Sequence, residues 1–415
     1  SDELLINKKI NAAKKTTNKF TWDNVAENNL NFVNNQCLNY KFNFFKLGIV
    51  TTWNSRCGVA SYSKNLFSGI NEDLVIFSPY EEDFHPTNTD KVIPKWFLDN
   101  HKQDFDELYQ AIIKEDITTV FIQFNYGIFC FEKLSKLVED LVKNNINIAM
   151  LLHSTIDPTH DITKRIADLS NCLLKCNRVF VHTIQDLNRL KDLGITNNVQ
   201  LLYHGITDLI PETNSIKFLQ NKFKTGYKKR IASYGFCLPN KGYKELIQAI
   251  GLLKETGLEI SLTIFSAIYS DHYLDFYEEL IELIKDLNLE DFISIVTTYM
   301  SDEDTLKELC LFDCLVFPYQ KTNESSSAAV RQGIASLRPV LVPRLDIFED
   351  VSDLVDFFPG NTAHDIAMGI KNWYVSNKIK LHNTDYDVRK KLLKTRRFNF
   401  LRRNLINTLR SLQNN

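Results

Sequence analysis

The stretch CLVFPYQKTNESSSAAVRQGIASLRPVLVP, residues 314–343, decides the fold class. It begins with a short apolar run at 314–319, passes through a polar loop into a helical pattern at 325–336, and ends in a second apolar run at 339–343. Two short apolar runs joined by a helix predict a strand–helix–strand unit with parallel strands. Because such units recur along most of the chain, we expect an α/β protein built on parallel sheets.

The strand–helix units fall into two groups separated by a polar break at 211–229. The predicted strands are 46–53, 73–78, 118–125, 147–154, 178–183 and 199–206 in the first group, and 230–236, 260–267, 293–298, 314–319, 339–343 and 354–358 in the second. A chain of 415 residues is too long for one ordinary core, and two domains of roughly 150–200 residues suit it better. We therefore predict one α/β domain at 44–210 and another at 211–387.

Two helical segments flank these domains. Residues 1–43 are polar and mostly helical in pattern, without a strong core signal. The basic segment 388–415 contains, over 388–412, nine Lys and Arg residues and no acidic one. Its predicted apolar face consists of Leu392, Leu393, Phe400, Leu401, Leu405 and Leu409. We expect either a terminal helix that packs back on the N-terminal domain or a surface that attracts anionic lipid headgroups through 388–410.

Composition restricts the class of protein. Hydrophobic residues make up 44% and charged residues 24% of the chain, as in ordinary globular proteins. The net charge of −2 gives no reason to expect a nucleic-acid partner. None of the eight cysteines forms a CxxC pair, so we expect buried thiols in a reducing, cytoplasmic compartment; the alternative is a redox or metal role. No run of about 18 apolar residues and no signal peptide is visible.

Two candidate binding residues follow strands of the second group. Ligands of parallel sheets bind outside the carboxyl ends of the strands, so these loops are where a site is expected. Lys241 lies in a Pro-bounded loop after the 230–236 strand, where an ammonium group can neutralise a diphosphate; the alternative is a solvated lysine. Glu324 precedes three serines at a helix start, where free N–H groups suit a phosphate and a carboxylate suits sugar hydroxyls; the alternative is a helix cap.

The first group offers weaker candidates. Gly58 lies where the loop after the first strand enters a helix, so the backbone there can approach a ligand, although a simple turn explains it equally well. His153 follows the run NIAMLL and can hydrogen-bond a hydroxyl or a developing charge; the alternative is a histidine satisfied by local backbone. His182 and His204 occupy similar strand ends, and each alone is better explained as structural.

Three segments together resemble one enzyme family. RCGVASYSKNL at 56–66 looks like its glycine loop and first helix, YGFCLPNKGYKELIQAI at 234–250 resembles its donor loop, and 316–343 is similar to its E-x7-E segment. The family is that of the retaining nucleotide-sugar glycosyltransferases with the GT-B fold, which includes bacterial mannosyl- and glucosyltransferases. The resemblance covers about 44–412 and implies two Rossmann-like domains facing each other across a cleft.

The resemblance also implies roles for individual residues. Lys241 would contact the diphosphate, Glu324 the transferred sugar or the ribose, and His153 would lie beside that sugar; these three form the predicted catalytic set. The predicted donor-binding set is Gly58, Tyr319, Lys241, Glu324, Ser325, Ser326, Ser327, Arg331 and Gln332. The predicted acceptor-binding set, taken from strand ends, is Thr52, Trp53, His85 and Tyr126. Such enzymes usually need no metal or cofactor besides the nucleotide diphosphate sugar, because helix termini and basic side chains stabilise the leaving group.

Two positions depart from the family pattern. Gln332 stands where the second Glu is expected, and Phe236 replaces the basic residue five positions before Lys241. One diphosphate cation is therefore missing, so either another residue such as Arg331 or Arg56 replaces it or donor binding is weak. These departures keep open a non-catalytic module that binds a nucleotide sugar or a glycan, and a sugar-nucleotide epimerase is a further alternative.

The resemblance extends to the expected setting of the protein. It implies transfer of a hexose to a glycan or lipid-linked acceptor in surface polysaccharide synthesis. The cysteines favour the cytoplasm, and the basic segment 388–410 offers peripheral contact with the inner face of the membrane as an alternative to packing. Residues 11–33 look like the tail of a preceding glycosyltransferase module; the alternative is an ordinary N-terminal helix. Since the chain begins with Ser, we expect a piece of a longer multi-domain protein.

Overall fold

The computed structural model describes residues 2–17, 45–55, 57–70, 73–80, 91–99, 101–159, 161–208, 229–268, 270–376 and 393–414. The chain forms two compact units, Ser1–Phe44 and Phe45–Asn415. In the first unit the described element is helix α1 (Asp2–Thr17), whose Ile6 and Ile10 side chains are exposed. Both sheets formed by the described residues belong to the second unit.

The first sheet of the second unit has seven parallel strands in the order β3-β2-β1-β4-β5-β6-β7. The strands are β1 (Lys46–Val50), β2 (Asp73–Pro79), β3 (Val92–Trp96), β4 (Thr119–Phe124), β5 (Asn147–Leu152), β6 (Arg178–Val181) and β7 (Val199–Leu201). The helices between them are α2 (Gly58–Phe67), α3 (Asp106–Lys114), α4 (Phe131–Lys143), α5 (Ser170–Lys175) and α6 (Ile184–Asp192). Because helices cover both faces, the central strands β4 and β5 are buried along almost their whole length and are mostly apolar.

The second sheet has six parallel strands in the order β10-β9-β8-β11-β12-β13. These are β8 (Lys229–Phe236), β9 (Ile260–Ala267), β10 (Ile293–Val296), β11 (Cys314–Val316), β12 (Val340–Val342) and β13 (Asp356–Phe357). Its helices are α7 (Tyr243–Glu255), α8 (Leu274–Asp286), α9 (Asp302–Leu309), α10 (Ala328–Ala335) and α11 (Ala363–Ser376). The strand order reverses between β8 and β11, as it does between β1 and β4 in the first sheet. Such reversal points open crevices where ligands bind.

Strand β3 was not among the predicted strands. Its sequence VIPKW contains Pro94, which lacks the N–H that a central strand would need. The structure places β3 at the outer edge of the sheet, beside β2 alone, where the missing donor costs no ladder hydrogen bond. The edge position therefore explains why a segment that contains proline forms a strand.

The prediction of one continuous helix over 388–412 needs correction. Residues 393–396 are helical, Arg397 pairs with Ile206 in an isolated bridge, and helix α12 then runs over Phe398–Ser411. Because of this break Phe398 is buried, whereas Phe400, expected on the apolar face, is 41% exposed. The Phe398 ring lies so close to Gly205 that a Cβ there would be 2.4 Å from it.

Helix α12 returns to the first sheet and packs on α2. Arg402 donates from Nε to Leu66 O at 2.7 Å and from Nη2 to Asn65 O at 2.8 Å. Arg396, just before the helix, donates to Asp350 O in the second domain at 3.1 Å. Arg402 and Arg396 therefore bind the C-terminal segment to the first and to the second domain, respectively.

Candidate functional site

The loop after β8 is held against the segment after β11. Pro239–Lys241 forms a single helical turn, and Gly242 has a φ of +74°, in the left-handed region that favours glycine. A Cβ at Gly242 would lie 1.9 Å from Pro318 O, so only glycine fits there. This close approach places Lys241 beside the residues that follow β11.

Lys241 and Glu324 form an ion pair at this edge of the sheet. Lys241 Nζ lies 3.6 Å from Glu324 Oε2 and 4.1 Å from the centre of the Tyr319 ring. The lysine side chain is 8% exposed and the glutamate side chain 54%. Burial lowers the pKa of Lys241, but Tyr319 and Glu324 outweigh that effect and raise it to about 12. Lys241 therefore carries a fixed positive charge near the start of α7.

The three serine hydroxyls after Glu324 have partners within the protein. Ser325 Oγ donates to Asp186 at 2.8 Å, Ser326 Oγ accepts from Arg331 at 3.3 Å, and Ser327 Oγ caps α10 by accepting from the Val330 N–H at 3.3 Å. The hydroxyls therefore hold the loop in shape. With Val330 capped, Ala328 and Ala329 carry the first-turn amides of α10 that are left for an anion.

Arg331 points away from Lys241's loop. Its guanidinium is 98% buried, pairs with Asp350 at 2.5 Å, and donates to Ser327 O at 3.0 Å and to His204 O at 3.3 Å. This placement speaks against the expectation that Arg331 replaces the missing diphosphate cation. Arg56, the other candidate, lies outside the described residues.

The two departures from the family pattern have distinct surroundings. Gln332 is 9% exposed, and its Oε1 finds no hydrogen-bond partner in the part of the chain that the structure describes. A buried acceptor without a partner is costly, so this amide is suited to a ligand hydroxyl. Phe236 stacks on Tyr299 with ring centres 6.2 Å apart, which puts an aromatic pair where a cation was expected.

His153 is hydrogen-bonded through both ring nitrogens. Nε2 lies 2.7 Å from Gln123 Oε1, and Nδ1 lies 3.3 Å from His182 Nε2. His182 Nδ1 in turn lies 2.9 Å from Leu202 O, which fixes its proton on Nδ1. A neutral His182 then accepts from His153 Nδ1–H, and His153 Nε2 is left as an acceptor that the Gln123 amide nitrogen must face. Turning the Gln123 amide in this way places its Nε2 atom, which otherwise has no hydrogen-bond partner among the described residues, against His153 Nε2.

The imidazole of His153 is therefore neutral, and both of its nitrogens are used in hydrogen bonds within the protein. Burial and the neighbouring His182 lower the pKa of His153 well below its ordinary value. Tyr62 joins the same cluster, with ring centres 4.9 Å from His153, 5.4 Å from His182 and 4.7 Å from His204. His153 lies at the predicted strand end, but its nitrogens face other side chains.

Acid should destabilise the protein through this histidine cluster. Burial lowers the pKa of His182 to about 4. Burial, and to a smaller extent the positive charge of Arg331, also lowers the pKa of His204. Since the unfolded chain takes up these protons first, the free energy of unfolding is highest above pH 6.5. It should fall by about 1.4 kcal/mol per pH unit for each such histidine as the pH decreases towards 4. Urea unfolding between pH 7.5 and 5 measures this slope.

A substitution isolates the share of His182 in that slope. His182→Gln should reduce the pH dependence by about one proton. His272→Gln, at an exposed histidine, serves as the matched control and should keep the wild-type slope. Equal slopes in the wild type and His182→Gln would remove His182 from the acid response.

The remaining predicted residues are placed as follows. Gly58 begins α2, is exposed, and a Cβ built on it meets nothing within 4 Å, so there is open space above it. Thr52 and Trp53 are 1% and 2% exposed and belong to the interior, which speaks against direct acceptor contacts. Tyr126 is 8% exposed and its hydroxyl donates to Asp157 at 3.1 Å. His85 lies outside the described residues.

One buried residue at the site was missed from the sequence. Asp186 is fully buried and accepts from Thr155, Thr183, Arg189 and Ser325. The spacing Thr183-x-x-Asp186 signals a capping box at the start of α6, and that signal was available. Its bond to Ser325 joins residues 139 positions apart, which no local pattern reveals.

Solved structures share this arrangement of two parallel sheets. A glycosyltransferase from Rickettsia africae ESF-5 superposes with a TM-score of 0.71 at 14% identity, over 90% of this chain and 100% of that one. The chain has the GT-B fold. Anabaena Alr3699/HepE, solved in complex with UDP, gives 0.72 at 12% identity over 88% and 100%. Sucrose-phosphate synthase (tll1590) from Thermosynechococcus elongatus gives 0.69 at 12% identity over 89% and 99%.

The GT-B fold confirms the predicted fold class. No family model matches the sequence, and no curated protein matches it significantly. Among the described residues, no group of three or more His, Cys, Asp or Glu side chains is arranged to hold a metal ion. No helix within the described ranges is both long and apolar enough to span a bilayer.

Proposed function

We propose that the chain is a retaining glycosyltransferase that moves a hexose from a nucleotide diphosphate sugar to a glycan or lipid-linked acceptor. The observation that carries this proposal is the Lys241–Glu324 pair at the reversal point of the second sheet. It combines a buried, fixed cation with a half-exposed carboxylate between two helix starts. A diphosphate and a sugar need these two kinds of group side by side.

The donor would be bound chiefly by the second domain. Lys241 and the first-turn amides of α7 and α10 would stabilise the charge that develops on the leaving diphosphate. Glu324 would exchange its ion pair for hydroxyls of the transferred sugar, and Gln332 Oε1 would accept from a further hydroxyl. These groups supply positive potential and hydrogen bonds, so the proposed reaction uses no metal and no cofactor beyond the nucleotide sugar.

A same-face displacement is the proposed route to retention. The acceptor oxygen bonds to the anomeric carbon on the face from which the phosphate oxygen departs, and the acceptor proton passes to that phosphate oxygen. The carboxylates beside the His153 loop are committed elsewhere: Asp157 Oδ1 accepts from the Ile166 N–H at 2.8 Å, and Asp186 is fully buried. The proposal therefore assigns neither of them the role of a covalent nucleophile.

Nucleotide release with a panel of UDP- and GDP-hexoses tests the function. HepE was solved with UDP and glucose and with UDP-glucose, so UDP-glucose is the first donor to try. Candidate acceptors are simple sugars, oligosaccharides and lipid-linked sugars. We expect nucleotide release that depends on acceptor, with the anomeric configuration of the donor kept in the product. Absence of turnover across the panel would contradict the proposal.

A second candidate is a non-catalytic module that binds a nucleotide sugar or a glycan. Phe236 and Gln332 favour it, because an aromatic ring and a neutral amide replace two charged groups. Calorimetry with UDP and GDP separates the two functions. Binding of a nucleotide without turnover of any corresponding sugar would favour the module.

The cellular setting is part of the proposal. We place the reaction in surface polysaccharide synthesis, in the cytoplasm, with residues 388–410 as the contact to anionic lipid at the inner face of the membrane. Of the described cations, Arg396, Arg397 and Arg402 donate hydrogen bonds within the chain. Lys394 and Arg403 are exposed, and they would make that contact together with the basic residues before 393. Cosedimentation with vesicles of anionic and of zwitterionic lipid tests it.

A further inference from the structure

Side-chain hydrogen bonds join the loop after β11 to the first domain. Ser325 Oγ donates to Asp186 Oδ1 at 2.8 Å. Ser154 Oγ donates to Asn323 O at 2.5 Å, and Asn323 Nδ2 donates to Asp157 O at 3.2 Å. Ser154 and Asp157 belong to the loop after β5, directly behind His153, and Asp186 lies in α6. The two domains are therefore bonded at the loops that carry the proposed catalytic groups.

Asp186 is the rigid member of this joint. Its Oδ1 also accepts from Thr155 Oγ1 at 2.6 Å and from Arg189 at 2.9 Å, and its Oδ2 accepts from Thr183 Oγ1 at 2.6 Å. The side chain is fully buried, and a carboxylate with donors on both oxygens has one orientation only. Ser325 is therefore attached to a fixed point of the first domain.

Glu324 lies between the two attached residues of its loop. Asn323 and Ser325 are bonded to the first domain, while the Glu324 carboxylate pairs with Lys241 in the second. We propose that Asp186 is a positioning residue for the transfer reaction: it holds Ser325 and thereby sets Glu324 against the His153 loop. This rests on the proposed function, in which Glu324 contacts the transferred sugar.

Substitutions at Ser325 test the joint without removing the buried carboxylate. Ser325→Ala deletes the Ser325–Asp186 bond but leaves Asp186 to cap α6 and to pair with Arg189, so the protein should fold. Ser325→Thr keeps a hydroxyl and should restore the wild-type behaviour. Ser170→Ala is the matched control, because Ser170 Oγ donates only to Ala167 O, within one domain.

Steady-state kinetics with the donor found in the panel give the first readout. Ser325→Ala should lower kcat by about 10- to 100-fold, because a misplacement of about 1 Å has effects of this size. The donor KM should hardly change, since Lys241 and the helix amides remain. Ser325→Thr should recover most of kcat. A wild-type kcat in Ser325→Ala, or an equal loss in Ser325→Thr, would overturn the proposal.

Hydrogen exchange of the intact protein without substrate gives a readout independent of activity. Ser325→Ala should speed exchange in 322–328 and also in 153–157 of the other domain, and Ser170→Ala should change neither. Unchanged exchange in 153–157 would overturn the joint even in an active enzyme. A wild type that turns over no donor would instead contradict the proposed function, while the exchange result would still decide the joint.

Discussion

Replacing Lys241 by Met should lower turnover of the nucleotide sugar by about 100- to 1,000-fold, the effect of losing one preorganised charge stabiliser. The Lys241 side chain is 8% exposed and is held by the Tyr319 ring and the Glu324 carboxylate. Its ammonium group therefore needs little reorganisation when negative charge develops on a phosphate. Met fills a similar volume, and Glu324 is half exposed, so the variant should fold. Nucleotide release at saturating donor measures the effect.

The neighbouring lysine offers a control for the Lys241 substitution. Lys244 follows on α7, is more exposed, and pairs with Glu279 instead of facing Glu324. Lys244→Met should keep wild-type turnover. Near-normal rates in Lys241→Met would remove Lys241 from the diphosphate site and would leave the Lys241–Glu324 pair as a structural contact.

The raised pKa of Lys241 also predicts that its charge stays the same throughout the neutral pH range. Its pKa of about 12 lies above the ordinary value of 10.5, so the stabilisation from its charge is complete below pH 10.5 and is lost as the pH rises through 12. Between pH 6 and 9 this lysine stays charged. A fall in turnover within that range must therefore come from another group or from the substrate.

The sheets were predictable because buried parallel strands read as short apolar runs between helical patterns. Strand β4, TVFIQF, is buried at every position and was predicted at nearly its observed bounds. Strand β3 was not predicted, because Pro94 interrupts the strand pattern of its sequence, although an edge strand tolerates a proline. Partial burial alone does not defeat the sequence-based rule, because β7 is only partly buried and lies within the predicted strand 199–206.

The site was predictable only as far as one domain extends. Lys241 and Glu324 follow neighbouring strands β8 and β11, so the strand-end rule was enough to expect them together, and they lie 3.6 Å apart. The predicted roles of the serine hydroxyls and of Arg331 differ from their observed contacts. Two of these contacts, Ser325 with Asp186 and Arg331 with His204, join residues more than 100 positions apart in different domains. Contacts of this kind depend on how the domains meet, and strand patterns do not encode that.

Replacing Arg331 by Met should reduce the free energy of unfolding by about 3–5 kcal/mol, the range for removing one member of a buried ion pair. Arg331 and Asp350 are 2% and 4% exposed, so Asp350 would keep a buried charge. Arg396, 3.6 Å from Asp350 Oδ2, compensates in part, which favours the lower end of the range. Because Arg331 also donates to His204 O in the first domain, its loss should loosen both domains. Urea unfolding at pH 7.5 measures the change.

The double variant Arg331→Met, Asp350→Leu distinguishes the charge from the packing. Removing both members of the pair takes away the uncompensated carboxylate, so the double variant should be more stable than Arg331→Met alone. Arg403→Met, at an exposed arginine of α12, controls for the substitution itself and should leave unfolding unchanged. If Arg331→Met also matches the wild type, Asp350 is satisfied by Arg396 alone.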